Sequence, residues 1–138
     1  MKKIFLMILL ICFICVGCSF GSEEDELKID DPKIDSLKES HDNISEVIAY
    51  KITIGGRVCY DVTEYKDNIY NSIINMKATE KHSRFTTDDG LIFRFIMNDS
   101  SDISFEFNHG SYVKNAQEMY LLEKTSYEIK YDKEIECE

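Results

Sequence analysis

Apolar and polar residues alternate over long stretches of this chain, and the alternation first becomes regular near residue 48. Ile48, Tyr50, Ile52 and Ile54 alternate with Ala49, Lys51 and Thr53, the period of two expected of a strand with one buried face. Gly55-Gly56 then predicts a two-residue hairpin turn with positive φ angles. Val58, Tyr60 and Val62 alternate with Arg57, Cys59 and Asp61 on the return strand. After the hairpin the period changes. Tyr65, Ile69, Ile73 and Met76 recur at spacings of four, four and three, forming one apolar stripe on a helix of about three turns. Thr63 stands where an N-cap would, and Glu64 complements the positive end of the helix dipole.

Downstream of the helix the two-residue period returns. Lys77 to Phe85 is polar and compatible with a strand, and Asp88-Asp89-Gly90 has the chemistry of a turn. Leu91, Phe93, Phe95 and Met97 make an alternating face, Asn98-Asp99-Ser100-Ser101 a turn, and Ile103, Phe105 and Phe107 another face. Asn108-His109-Gly110 reads as a third turn. Weaker strand signals follow at Tyr112–Lys114 and Glu118–Leu122. In the last segment, Tyr127, Ile129 and Tyr131 suit a strand, whereas Tyr127, Tyr131 and Ile135 suit a helix. Two strands, a helix and a run of strands predict an α+β domain over residues 46–138. Its mainly antiparallel sheet would carry one amphipathic helix on one face.

The first residues say where the protein resides. Lys2 and Lys3 precede fourteen uncharged residues, Ile4 to Gly17, and then Cys18 opens a polar, acidic stretch. This is the layout of an export signal. The ending Cys15-Val16-Gly17-Cys18 resembles a bacterial lipobox. That resemblance implies a signal peptide over residues 1–17, removed so that Cys18 becomes the first residue of a lipoprotein, with a diacylglyceryl group on its sulfur. Two acyl chains hold a protein stably on a membrane, at ~0.8 kcal/mol per buried CH₂. The expected location is the extracytoplasmic face of the cell membrane. The alternative is an uncleaved transmembrane anchor, but fourteen residues rise only ~21 Å as a helix, against a hydrocarbon core of ~30 Å. Over residues 46–131, and in motifs such as Leu91-Ile92-Phe93-Arg94-Phe95, the chain also resembles small lipoprotein domains of low-GC Gram-positive bacteria. The resemblance lends no catalytic residues.

Between anchor and domain, Ser19–Ser45 holds nine acids and three lysines, predicting a solvated spacer over residues 18–45. One or two helical turns interrupt it, with Asp31 as cap, Pro32 at the first helical position and Ile34 and Leu37 on one face. The Glu23–Glu26 run could hold Ca²⁺ weakly, although a solvated charge run explains it better.

Charge narrows the classes of partner. The full chain has 26 acidic and 16 basic side chains. Removal of Lys2 and Lys3 leaves 14 bases and a net charge of −12. That balance argues against nucleic acid, which rewards a basic stripe, and against electrostatic adhesion to anionic lipid. Of the five cysteines, the lipobox resemblance implies that Cys12 and Cys15 leave with the signal and that Cys18 is acylated. Cys59 and Cys137 remain, free to form a disulfide outside the cytoplasm.

No motif names a reaction. His41, His82 and His109 stand apart from one another, so no metal-binding spacing is present and no cofactor is expected. Asn98-Asp99-Ser100-Ser101-Asp102 lacks the spacing and glycine of an EF-hand loop. His109-Gly110-Ser111 and His82-Ser83 bring together residue types used in nucleophilic catalysis. The leading expectation is a non-catalytic, membrane-tethered module that binds an envelope protein, peptide or glycan. It would use tyrosines beyond the needs of the core, among Tyr50, Tyr60, Phe85, Tyr112, Tyr120, Tyr127 and Tyr131. One alternative is a small envelope hydrolase using His109 with Ser111 or a nearby carboxylate. Another is a lipoprotein that binds a small molecule.

Overall fold

A computed structural model describes residues 27–84, 89–123 and 129–138. The fold is α+β and mostly sheet. Its elements are α1 (Pro32–Glu39), β1 (Ile44–Thr53), β2 (Gly56–Asp61), α2 (Lys66–Ile74), β3 (Ala78–Ser83), β4 (Gly90–Met97), β5 (Asp102–Asn108), β6 (Ser111–Val113), β7 (Glu118–Leu122) and β8 (Glu134–Ile135). The strands form one sheet in the order β3-β7-β6-β5-β4-β1-β2-β8, and every neighbouring pair is antiparallel. The β1–β2 hairpin lies toward one end of the sheet. The chain then runs through α2 to β3 at the opposite edge, and the β4–β7 meander fills the gap between them.

Among the described residues two helices, rather than the expected one, pack on the sheet. Ile34 and Leu37 of α1 join Ile69, Tyr70 and Ile73 of α2 in a core with Val47, Ala49, Phe93, Phe95, Phe105, Tyr112 and Tyr120. Folded structure therefore begins well before residue 45, the expected end of the spacer. Leu27 bridges Ala78 at the start of β3, and Leu37 is 0% exposed. The charges of this segment suggested a spacer, yet an eight-residue helix needs only two apolar residues on one face to dock. Asp31 caps α1 by accepting from the Lys33 backbone N–H (2.9 Å), with Pro32 in the first turn. The second oxygen of that carboxylate accepts from the buried Tyr112 hydroxyl, fastening α1 to β6.

Three local expectations are corrected. The hairpin turn is Ile54-Gly55, because Thr53 pairs with Gly56. Only Gly56 has a positive φ (123°), and Ile54 is 86% exposed at the tip. The main buried face of β1 is Val47 and Ala49, while Ile48 and Tyr50 form a smaller cluster with Cys59. Side chains of the flanking strands, Cys59, Ile92 and Ile96 among them, bury Ile48 and Tyr50 on the other face, so alternation could not say which face meets the helices. Finally, Thr63 does not cap α2. Its Oγ1 accepts from the Val47 N–H at 3.0 Å, binding the β2–α2 connection to β1. Asp61 makes the turn, accepting from the Thr63 N–H at 3.0 Å. A short 3₁₀ turn at Thr63–Tyr65 then precedes α2.

The Asn108-His109-Gly110 turn is a two-residue hairpin loop in which His109 (φ 45°) and Gly110 (φ 78°) both take positive φ, as the twist of the flanking strands requires. At the other end of the sheet, Cys59 and Cys137 are joined by a disulfide with Cα atoms 5.4 Å apart. Linking residues 78 apart in sequence contributes ~4 kcal/mol in the chain-entropy picture. In the last segment Tyr127 lies outside the described residues, Ile129 and Tyr131 sit in neither strand nor helix, and the short strand β8 forms only at Glu134–Ile135.

Candidate binding cleft

The strand pleat places Lys51 of β1, Leu91 of β4 and Phe107 of β5 on the same face as Val47, Ala49, Phe93 and Phe105. Lys51 pairs in register with Leu91, and Leu91 with Phe107. Beyond the reach of α2 this part of the face is a cleft of about 340 Å³, lined by Lys51, Leu91, Phe107 and Leu122 and rimmed by Asp89 and His109. Its floor is apolar and its principal cation is Lys51. The Lys51 ammonium lies 3.5 Å from the Tyr131 ring centroid and 5.5 Å from that of Tyr60, and the two rings meet edge to face at 5.3 Å. The negative ring faces attract the ammonium and hold it at the cleft wall. Gly90 at the rim is constrained from the other side, since a Cβ there would lie 2.9 Å from the Asn108 Oδ1.

The expected tyrosine surface is mostly interior. Tyr50, Tyr112 and Tyr120 are buried, while Tyr60 and Tyr131 are partly buried and grouped with Lys51. Phe85 and Tyr127 lie outside the described residues. Tyr50 is held on the opposite face by two cations. The Arg57 guanidinium is 5.4 Å from its ring centroid, and Arg94 Nη1 donates to its hydroxyl at 3.3 Å. Arg94 also pairs with Asp102 at 3.2 Å. Hydrogen bonding to Tyr50, then to Asp102, pushes the Arg94 pKa upward.

The remaining candidate residues are dispersed. His109 is exposed in its turn, whereas Ser111 is 2% exposed within β6. No hydrogen bond joins the two among the described residues, and a hydroxyl shut away from solvent cannot meet a substrate. His82 Nδ1 lies 3.1 Å from the Ser83 carbonyl oxygen. His41 packs at a tilt against Tyr70, with centroids 4.2 Å apart, and lies near Asp42 and Asp67. In the 98–102 turn, Asp99 accepts from the Ser101 hydroxyl and N–H, and those bonds lower its pKa. Among the described residues no three His, Cys, Asp or Glu side chains converge on a point that could hold a metal. No described helix is long and apolar enough to cross a membrane. Cys18, Asp88 and the Glu23–Glu26 run lie outside the described residues.

The sequence pattern missed Lys51, reading it as the polar half of an alternation. A lysine between Ala49 and Thr53, with Tyr60 on the return strand and Tyr131 far downstream, was the available signal. Its meaning required the register. Comparison with protein-family models, with curated proteins and with solved structures finds no match for this chain.

Proposed function

We propose that this protein is an extracytoplasmic lipoprotein, held to the membrane through Cys18, and that its domain is a non-catalytic binding module. The carrying observation is the cleft, an apolar floor of Leu91, Phe107 and Leu122 beside a cation fixed by two tyrosines. In this reading the helices cover one sheet face and leave that end open. Such a site suits an apolar side chain flanked by an acidic group, on a peptide or on a loop of an envelope protein. The dispersed histidines and the buried Ser111 favour binding over hydrolysis. The location rests on the lipobox-like ending at Cys18.

The test is a pull-down from membranes with the lipidated protein, its Lys51→Glu variant and a tether-only control. Lys51→Glu reverses the one fixed cation of the cleft, so the captured partner should be lost at least tenfold. Absence of any partner above the control, or capture indifferent to Lys51→Glu, would remove the proposal.

A further inference from the structure

What shields the outer edge of β2 is thin. β8 pairs only Cys59 with Ile135 and Tyr60 with Glu134, and a 2.9 Å hydrogen bond from the Asp61 N–H to the Lys133 carbonyl extends the pairing by one step. Ile135 packs on Ile48, Tyr50 and Cys59, and Tyr131 rests against Tyr60. A strand of two residues is weakly held unless tied down. Here the tie is the Cys59–Cys137 disulfide. A dithiol can open it by delivering two electrons and two protons, yielding two protein thiols and leaving as its own disulfide. The backbone of Arg57–Asp61 then lacks a secured neighbour, and an unpaired edge is a template for another strand.

The sequence of β2 specifies which strand fits. Arg57, Cys59 and Asp61 share one face of the strand, and Val58 and Tyr60 the other. Two copies laid antiparallel about Cys59 set Arg57 opposite Asp61, Val58 opposite Tyr60, and Cys59 opposite its own copy. The ion pairs recur on both sides of the twofold axis, so the register is self-complementary, as an isologous interface requires. A shift by two residues along the strand breaks both pairs. We infer that the C-terminal strap masks a homodimerisation edge, and that opening the Cys59–Cys137 bond exposes β2 to a second copy of this chain. The strap then acts as a redox-released guard, independent of the cleft and of what it binds.

Sedimentation velocity of the full chain in detergent micelles provides the test. The oxidised protein is monomeric, whereas Cys137→Ser and dithiothreitol-reduced wild type form dimers whose fraction rises with concentration. Glutathione disulfide added to Cys137→Ser then takes two electrons and two protons from the facing Cys59 thiols and leaves as two glutathiones. The tryptic peptide Val58–Lys66 should appear linked to itself. Asp61→Arg in the Cys137→Ser background weakens association at least tenfold, and adding Arg57→Asp restores it. The inference is overturned if reduced wild type and Cys137→Ser stay monomeric with native circular dichroism, or if they dimerise indifferently to Asp61→Arg. Asp61→Arg is also read in the otherwise wild-type chain after reduction, which keeps the result decisive even if Cys137→Ser misfolds.

Discussion

Asp31 and Tyr112 are 81 positions apart in sequence and meet inside the core, so the value of their contact measures how firmly the N-terminal helix belongs to the domain. Tyr112 is 0% exposed and donates to one Asp31 carboxylate oxygen, while the other accepts from the Lys33 N–H. Tyr112→Phe removes a hydrogen bond to a charged acceptor, worth ~1.5–3 kcal/mol. The carboxylate keeps Lys33 as a cationic neighbour, 3.8 Å away and partly exposed. Asp31→Ala loses that bond and the helix cap, itself worth ~1 kcal/mol, for a total of about 2.5–4 kcal/mol. Urea unfolding followed by near-ultraviolet circular dichroism would yield these differences, and the double variant should return a coupling energy of ~1.5–3 kcal/mol. The slope with urea should stay constant, since the surface exposed on unfolding barely changes. A loss below ~0.5 kcal/mol for Tyr112→Phe, with negligible coupling, would refute the reasoning and leave α1 a loosely attached spacer.

Two further outcomes follow from the same packing. Leu37→Ala should cost ~2–5 kcal/mol, because a fully buried leucine leaves both lost transfer energy and a cavity; a cost near zero in the same urea assay would contradict the docking of α1. Burial, reinforced by the Asp31 bond, raises the Tyr112 pKa above its ordinary value near 10. The folded state therefore favours the protonated phenol, and its contribution is complete below pH ~10 and lost as pH rises further. Tyr112→Phe should flatten that alkaline limb, and an unchanged limb would show that other groups set it. Asp61, Asp99 and Glu118 behave oppositely. Hydrogen bonds from the Thr63 N–H, the Ser101 hydroxyl and Lys81 respectively lower their pKa values. Their contributions are present above pH ~4 and lost as acid protonates them. Equilibrium unfolding between pH 2 and 5 should show stability rising with pH.

The legible parts of the fold were those where local chemistry had one solution. Ile103 to Phe107 read as a strand because its alternation is unbroken, and Leu91 to Met97 because it is a short apolar run interrupted only by Arg94, each bounded by turn residues. Asn108-His109-Gly110 read as a turn because only such residues tolerate the φ angles it needs. The main buried face of β1 was not legible, since Ile48 and Tyr50 are as apolar as Val47 and Ala49, and strand order decides between them. Nor was the extent of the domain. The acids around Ile34 and Leu37 dominate composition, whereas docking depends on two side chains and a long-range bond from Tyr112 to Asp31. The cleft depends on Lys51, Leu91, Phe107 and Leu122 meeting from four strands, with Tyr60 and Tyr131 bracketing the lysine. Spacing along a chain carries no trace of such a meeting.

The anchor at Cys18 is the claim on which location and mode of action depend, and mass spectrometry of protein extracted from cell membranes addresses it directly. The anchored protein should yield an N-terminal tryptic peptide running from Cys18 to Lys28, with a diacylglyceryl group on the Cys18 sulfur, and Cys18→Ala should lose fatty-acid labelling. Recovery of a chain from the soluble fraction with Met1 to Gly17 intact and Cys18 unmodified would contradict it.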